Sequence, residues 1–248
     1  MKMRKLIKSR YAFLLLAGLA LSVCASAQQA PPHPDDPWEG FNRKVYTFND
    51  AVDRAFLIPA TTGYQAIAPD FVETGVSNFF SNIADIGIAL NNLLQFKFAD
   101  AGSDIGRILV NSTVGILGLF DVASQMGLQK HDEDFGQTLG YWGVGTGPYV
   151  VLPFFGPSNL RDGPGMMLDV MLWSASVSGA TSSEQDALFA MNVINTRAEY
   201  MELEERVEEL SHERYVFIRD AYLDRREFLV HDGDSPFDDQ LYEGLEDN

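Results

Sequence analysis

The sequence predicts an all-α fold, on three observations. Apolar residues recur at three- and four-residue spacing through most of the chain after residue 36. Proline and small polar residues stand where those periodic segments start or stop. No stretch alternates apolar and polar residues for long enough to build a sheet. With 248 residues, 46% hydrophobic and 21% charged, the chain suffices for one globular domain plus appendages and is too apolar to be disordered.

The N-terminus comes first. Lys2, Arg4, Lys5, Lys8 and Arg10 precede an apolar run over residues 11–23, an export signal too short to span about 30 Å of hydrocarbon. Two endings fit it. Ala25-Ser26-Ala27 suits cleavage after residue 27, whereas Leu21-Ser22-Val23-Cys24 resembles a lipobox that would lipidate Cys24 and end the signal at residue 23. Val23 is unusual before a lipidated Cys, but the chain's one thiol stands at the end of the apolar run, so lipidation is preferred. Residues 28–35 form a Pro-containing leader.

Residues 36–230 read as the helical domain. Asp36, Pro37 and Glu39 make a capping-box pattern for a first helix. At 100° per residue, Trp38, Phe41, Val45, Phe48, Val52 and Phe56 fall within an arc of roughly 80°. Such a stripe packs on a core or lies at the depth of lipid headgroups, and the two readings stand level. Pro59 is expected to end this helix and Pro69 to open the next, with Phe71, Val72, Val76, Phe79 and Phe80 apolar. A further helix is expected over 83–96, carrying Ile86, Leu90, Leu93 and Leu94, and another over 100–117, closed by a turn at Gly115 and Gly118. Residues 185–230 make one long helix or two, before an acidic tail over 231–248.

Residues 135–160 run without a charge, yet nine Gly and Pro residues forbid a spanning helix. Irregular backbone at bilayer depth is tolerated only where it packs in protein or lines a wet cavity. If this segment meets lipid it borders a pore or groove; the plainer reading is a buried loop.

Charge and chemistry exclude several classes. The chain carries 18 Lys+Arg against 35 Asp+Glu, and five of the cations lie in the signal, which argues against binding nucleic acid. Residues 184–248 hold 19 acids and six Arg, read as a solvated helical face and tail. One Cys permits neither an internal disulfide nor a thiolate metal site. No His pair has metal-ligand spacing, no GxSxG elbow or P-loop is present, and His131-Asp132-Glu133-Asp134 reads as a charged exposed loop. Neither a cofactor nor enzymatic activity is expected.

Several motifs together resemble the MlaA/VacJ family: Asp36-Pro37-Trp38-Glu39-Gly40-Phe41-Asn42-Arg43, Arg107 through Asn111 to Gly115, Gly118, Asp121, Phe135-Gly136, Thr138-Leu139-Gly140, Gly143-Val144-Gly145, Gly147-Pro148-Tyr149-Val150, Leu152-Pro153-Phe154 and Leu160-Arg161-Asp162. The resemblance implies a helical ring in the inner leaflet of the outer membrane, enclosing an amphipathic channel and associated with trimeric porins. It further implies removal of misplaced phospholipids from the outer leaflet and their delivery to an MlaC-like periplasmic carrier. By that analogy the stripe Trp38, Phe41, Asn42, Val45, Phe48, Val52 and Phe56 lies at the membrane interface. Gly140, Gly143, Val144, Gly145, Gly147, Pro148, Tyr149, Pro153, Phe154 and Gly156 shape the channel and an adjoining ridge. A soluble periplasmic lipid carrier is the alternative function; a lipid hydrolase would need a nucleophile that is not visible.

Overall fold

The computed structural model describes residues 33–210 and 213–233. The export signal, Cys24, most of the leader and the tail beyond residue 233 lie outside the described residues. Nearly all of the regular structure is helical. Helix α1 (Glu39–Val52) runs through a π-turn (Asp53–Leu57) into α2 (Ile58–Ile67). Then come α3 (Asp70–Leu94), α4 (Phe98–Thr113), α5 (Val122–Gln125) and α6 (Phe135–Tyr141), a hairpin of β1 (Tyr149–Leu152) and β2 (Gly156–Asn159), and α7 (Asp162–Ser176), α8 (Ser182–Leu210) and α9 (Arg214–Val230).

Two expectations about the first helix fail for identifiable reasons. The capping box does not form: Trp38 occupies the N-cap without a side-chain cap. The Asp36 carboxylate is fully buried instead, accepting from Asn42 Nδ2 at 2.8 Å and Tyr215 Oη at 2.6 Å, while Glu39 pairs with Arg43 at 2.6 Å. Pro59 does not end the helix either. The wider π-turn, in which the Ile58 N–H reaches the Asp53 carbonyl, restarts the ladder so that Pro59 falls in the first turn of α2, where its missing N–H costs little.

Pro69 does open a helix, but the two segments expected over 69–96 are one helix of 25 residues, about 37 Å long. No Gly or Pro breaks it near residue 82. Its apolar face shifts because α4, α6, α7 and α8 pack around different sides of it. A short turn folds α4 back along α3. That helix stops at Thr113, four residues before the expected end, where Ile116, Leu117 and Gly118 all take left-handed backbone conformations. Gly118 is required there, since a Cβ would meet the Asn82 side chain at 2.8 Å.

The segment 135–160 is not irregular throughout. Asp134 caps α6 by accepting from the Gln137 N–H at 2.8 Å, and Gly136 lets α6 approach α7. A Cβ on Gly165 of α7 would lie 2.6 Å from the Gly136 nitrogen. β1 and β2 pair antiparallel, Tyr149 opposite Asn159 and Leu152 opposite Gly156. Helix α7 was missed in the sequence because Gly163, Pro164 and Gly165 disguise its first turn. The C-terminal region resolves into two helices.

Candidate lipid-handling site

The distribution of polarity is inverted relative to an ordinary globular domain. Among the described residues, twenty buried side chains are polar or charged and ten are apolar. Large apolar side chains stand exposed on nearly every element: Phe41 and Phe56 on α1 and the π-turn, Phe71 (76% exposed) on α3, Phe96 and Phe98 at the α3–α4 turn, Ile116, Leu117 and Phe120 beyond α4, and Met167 and Met171 on α7. Scattered exposed apolar residues are normal, but large ones exposed on so many elements make an apolar exterior that suits contact with lipid or protein.

The interior is held by ionic and amide hubs. In the first, Asn42 and Asn49, two turns apart on α1, clamp β1 at both ends. Asn42 donates to the Tyr149 carbonyl (3.1 Å) and accepts from the Val151 N–H (2.9 Å); Asn49 donates to the Leu152 carbonyl (2.9 Å) and accepts from the Phe154 N–H (2.8 Å). The small apolar core, Tyr149, Val151 and Tyr215 with Val45 and Tyr222 against it, lies beside this clamp.

In the second hub, Arg226 of α9 bridges Asp134 (2.9 Å to Oδ1) and Asp162 (2.8 Å), while Arg161 Nε donates to Asp162 at 2.7 Å. Burial opposes ionisation of both carboxylates, but the arginine hydrogen bonds and charges prevail and hold them below the usual range. In the third, the Arg107 guanidinium touches Asp85, Asp121, Ser124 and the Leu128 carbonyl. Burial pushes Asp85 up despite Lys130 and Arg107. Asp121 shares its carboxylate with Ser124, Asn111 and Arg107, which outweigh burial and bring it down to about 2.

The loop His131-Asp132-Glu133-Asp134, expected to be exposed, instead supplies partners. His131 Nδ1 lies 2.8 Å from the buried Asp104, Glu133 pairs with Lys97 at 2.7 Å, and Asp134 caps α6; of the four only Asp132 is exposed. The reason is the demand for counter-charges made by Lys97 in the α3–α4 turn and by Arg225 and Arg226 on α9.

Two cavities open from this interior. One of about 340 Å3 lies between α3, α7, α8 and the loop over 132–134, lined by apolar side chains including Ile88, Leu172, Trp173 and Phe189 and by carboxylates. In that wall Asp169 accepts from the Phe135 N–H at 3.3 Å. Burial, then the charge of Asp134, pushes Asp169 up to about 7. The second, of about 530 Å3, lies between residues 34–35, residues 146–148 and α9, lined by Arg161 and Arg226 among others.

The stripe of α1 divides. Trp38, Phe41, Phe48 and Phe56 are exposed, Val45 packs on the small core, Val52 is half-buried, and Asn42 is wholly buried. The ten channel candidates fall in several parts of the fold. Gly147 and Pro148 line the second cavity, and Tyr149 belongs to the core. Gly140 sits where a Cβ would strike Val230 and Arg161, while Gly143, Val144 and Gly145 lie on an open loop. Pro153, Phe154 and Gly156 form the hairpin turn, with the Phe154 ring 5.3 Å from that of Phe48. Sequence reasoning missed the first cavity. Its signal was Asp169, the one charge between residues 163 and 183.

No helix among the described residues is long and apolar enough to cross a membrane, and no metal-binding cluster occurs among them. A helical fold with a charged interior and an aromatic exterior, built on such helices, defines a protein suited to an interface. The chain belongs to the MlaA lipoprotein family, whose model matches residues 34–229. It is similar to the intermembrane phospholipid transport system lipoprotein MlaA of Escherichia coli, 32% identical over 92% of this chain and 91% of that one. An uncharacterized protein of Rickettsia typhi is 37% identical over 79% of this chain and 78% of its own. A structure solved in a study of how bacterial outer-membrane lipid asymmetry is maintained superposes with a TM-score of 0.68, at 31% identity over 79% of this chain and 98% of the other.

Proposed function

We propose that this protein is the outer-membrane component of an intermembrane phospholipid transport system, removing misplaced phospholipids from the outer leaflet to maintain lipid asymmetry. The observation that carries this reading is the inverted polarity. The exposed aromatic and aliphatic belt suits the acyl region of the inner leaflet, with lipidation at Cys24 as a tether. The charged interior offers a wet route to headgroups that hydrocarbon would exclude. Such a protein holds its lipid only in passing, so a periplasmic carrier of the MlaC kind receives it, and a trimeric porin is the membrane partner. Family membership supports this reading.

A soluble periplasmic carrier would turn its apolar side chains inward around acyl chains, which the exposure of Phe56, Phe71 and Met171 disfavours. The test is fractionation followed by retrieval. The mature protein should be found in outer membranes, co-purify with a porin trimer and restore transfer of labelled phospholipid to a periplasmic acceptor. Recovery of lipid-loaded protein free in the periplasm would favour the carrier, and release of fatty acid would contradict transport.

A further inference from the structure

We propose that the cavity between α3, α7 and α8 receives the ammonium group of an amine-bearing phospholipid head, held by the Asp169 carboxylate and the Trp173–Phe189 aromatic pair. This rests on the transport reading and names the headgroup class that the passage favours.

The first ground is a missing counter-charge. Four carboxylates line the cavity, and no Lys or Arg does. Three of them hold cations at its margin: Asp132 with Arg225 at 3.0 Å, Glu133 with Lys97 at 2.7 Å, and Asp134 with Arg226. Asp169 has no ion pair among the described residues; it accepts only from the Phe135 N–H and the Asn91 side chain. Ionised, it is a partly buried charge with no cation in contact, the charge of Arg226 reaching it only as the smallest of its interactions, a state whose cost a ligand cation would reduce and a ligand anion would raise. Burial and the charge of Asp134 push its carboxyl group up, in the direction that such a cost requires.

The second ground is the aromatic wall. Trp173 stands one turn after Asp169 on the same face of α7, and its ring meets Phe189 of α8 edge-on, with centroids 5.7 Å apart. Ring faces beside a carboxylate, in a site largely walled by apolar groups, attract alkylammonium ions through the ring quadrupole and add discrimination against neutral polyols. The third ground is position. Met166 and Leu172 line the cavity and are half-buried while Met167, Leu168 and Met171 of the same helix are exposed, so α7 stands between the apolar exterior and Asp169. A lipid head drawn past α7 meets the carboxylate while its chains stay against the outer face. The volume falls within the range of small-molecule sites, ~300–1,000 Å3, which suits a head more than a whole two-chain lipid.

The test is calorimetric titration of the full-length protein in non-ionic detergent with dihexanoyl phosphatidylethanolamine, dihexanoyl phosphatidylglycerol and free ethanolamine. Wild type should bind the amine lipid about tenfold more tightly than the glycerol lipid. Asp169→Asn should weaken the amine lipid and not the anionic glycerol lipid, so that the preference is lost. Trp173→Leu should narrow the preference several-fold with Asp169 intact. Equal affinities in wild type, a preference that survives Asp169→Asn, or free ethanolamine binding as tightly as the lipid would each overturn the assignment. Transfer of both lipids from vesicles at equal rates, without a binding preference, sinks this inference and leaves the transport reading standing. Transfer of neither lipid sinks both.

Discussion

The outer belt and the inner hubs of this protein obey opposite rules. On the belt, Phe56, Phe71 and Met171 face outward with few protein neighbours, and their energetic value is realised only when something apolar replaces water. In the hubs, Arg226, Asp134, Asp162 and Asn42 are paired within the protein, and each depends on its partners being present. Stability and the proposed membrane affinity thus reside in separate residues. Mutations in the two regions should therefore separate cleanly between unfolding and lipid-binding measurements.

Breaking a hub should give the largest effect. Arg226→Ala leaves Asp134 and Asp162 partly buried without this cation and should cost about 3–5 kcal/mol of stability in denaturant unfolding, with a mature protein that is hard to recover. Asn42→Ala removes the amide that joins Asp36, Tyr149 and Val151 and should cost about 2–3 kcal/mol by the same measurement.

The titration of the carboxylates sharpens the contrast within the interior. Asp134 and Asp162 are held low, so the stability they contribute is present at neutral pH and is lost as pH falls below about 4 through their folded values. Asp169 has the opposite sign. Its carboxyl group is pushed up to about 7, so its contribution is full in acid and is lost as pH rises from about 4 to 7. Asp169→Asn should remove that loss and stabilise the unliganded protein at pH 8 by about 1–2 kcal/mol, discounted for partial exposure, which thermal melts at pH 5 and pH 8 would show.

On the belt the outcome should reverse. Phe41→Asp should change unfolding stability by no more than about 0.5 kcal/mol while weakening vesicle binding of the detergent-free protein. Gly145→Leu meets no atom within 4 Å at its Cβ, so it should fold normally; slowed lipid retrieval would place that loop beside the passage.

Much of the fold was legible because helical periodicity is local. Pro69 opened a helix, and the break between α8 and α9 lay inside a segment that already carried two apolar faces. What escaped depended on distant partners. Asp36 looks like an N-cap until Tyr215, 179 residues away, claims its carboxylate. Glu133 and Asp134 look solvated until Lys97 and Arg226 arrive from other helices. The aromatic stripe was visible, but whether it faced a core or the outside could not be decided from spacing, because both environments select the same residues. Asn42 shared the edge of that stripe, and only the hairpin reveals it as a clamp. The first cavity was hidden because α7 begins with glycines and proline, which concealed that Asp169 and Trp173 share one face.

On the proposed function, the exposed belt sits among acyl chains. Fluorescence quenching by lipids brominated along their chains tests it most directly, since Trp38 and Trp142 are both on that belt, about half exposed. With the full-length protein reconstituted in such vesicles, single-tryptophan variants keeping Trp38 or Trp142 should be strongly quenched by brominated chains and weakly by aqueous iodide. Strong iodide quenching of both, with no effect of bromine, would mean that the belt faces water.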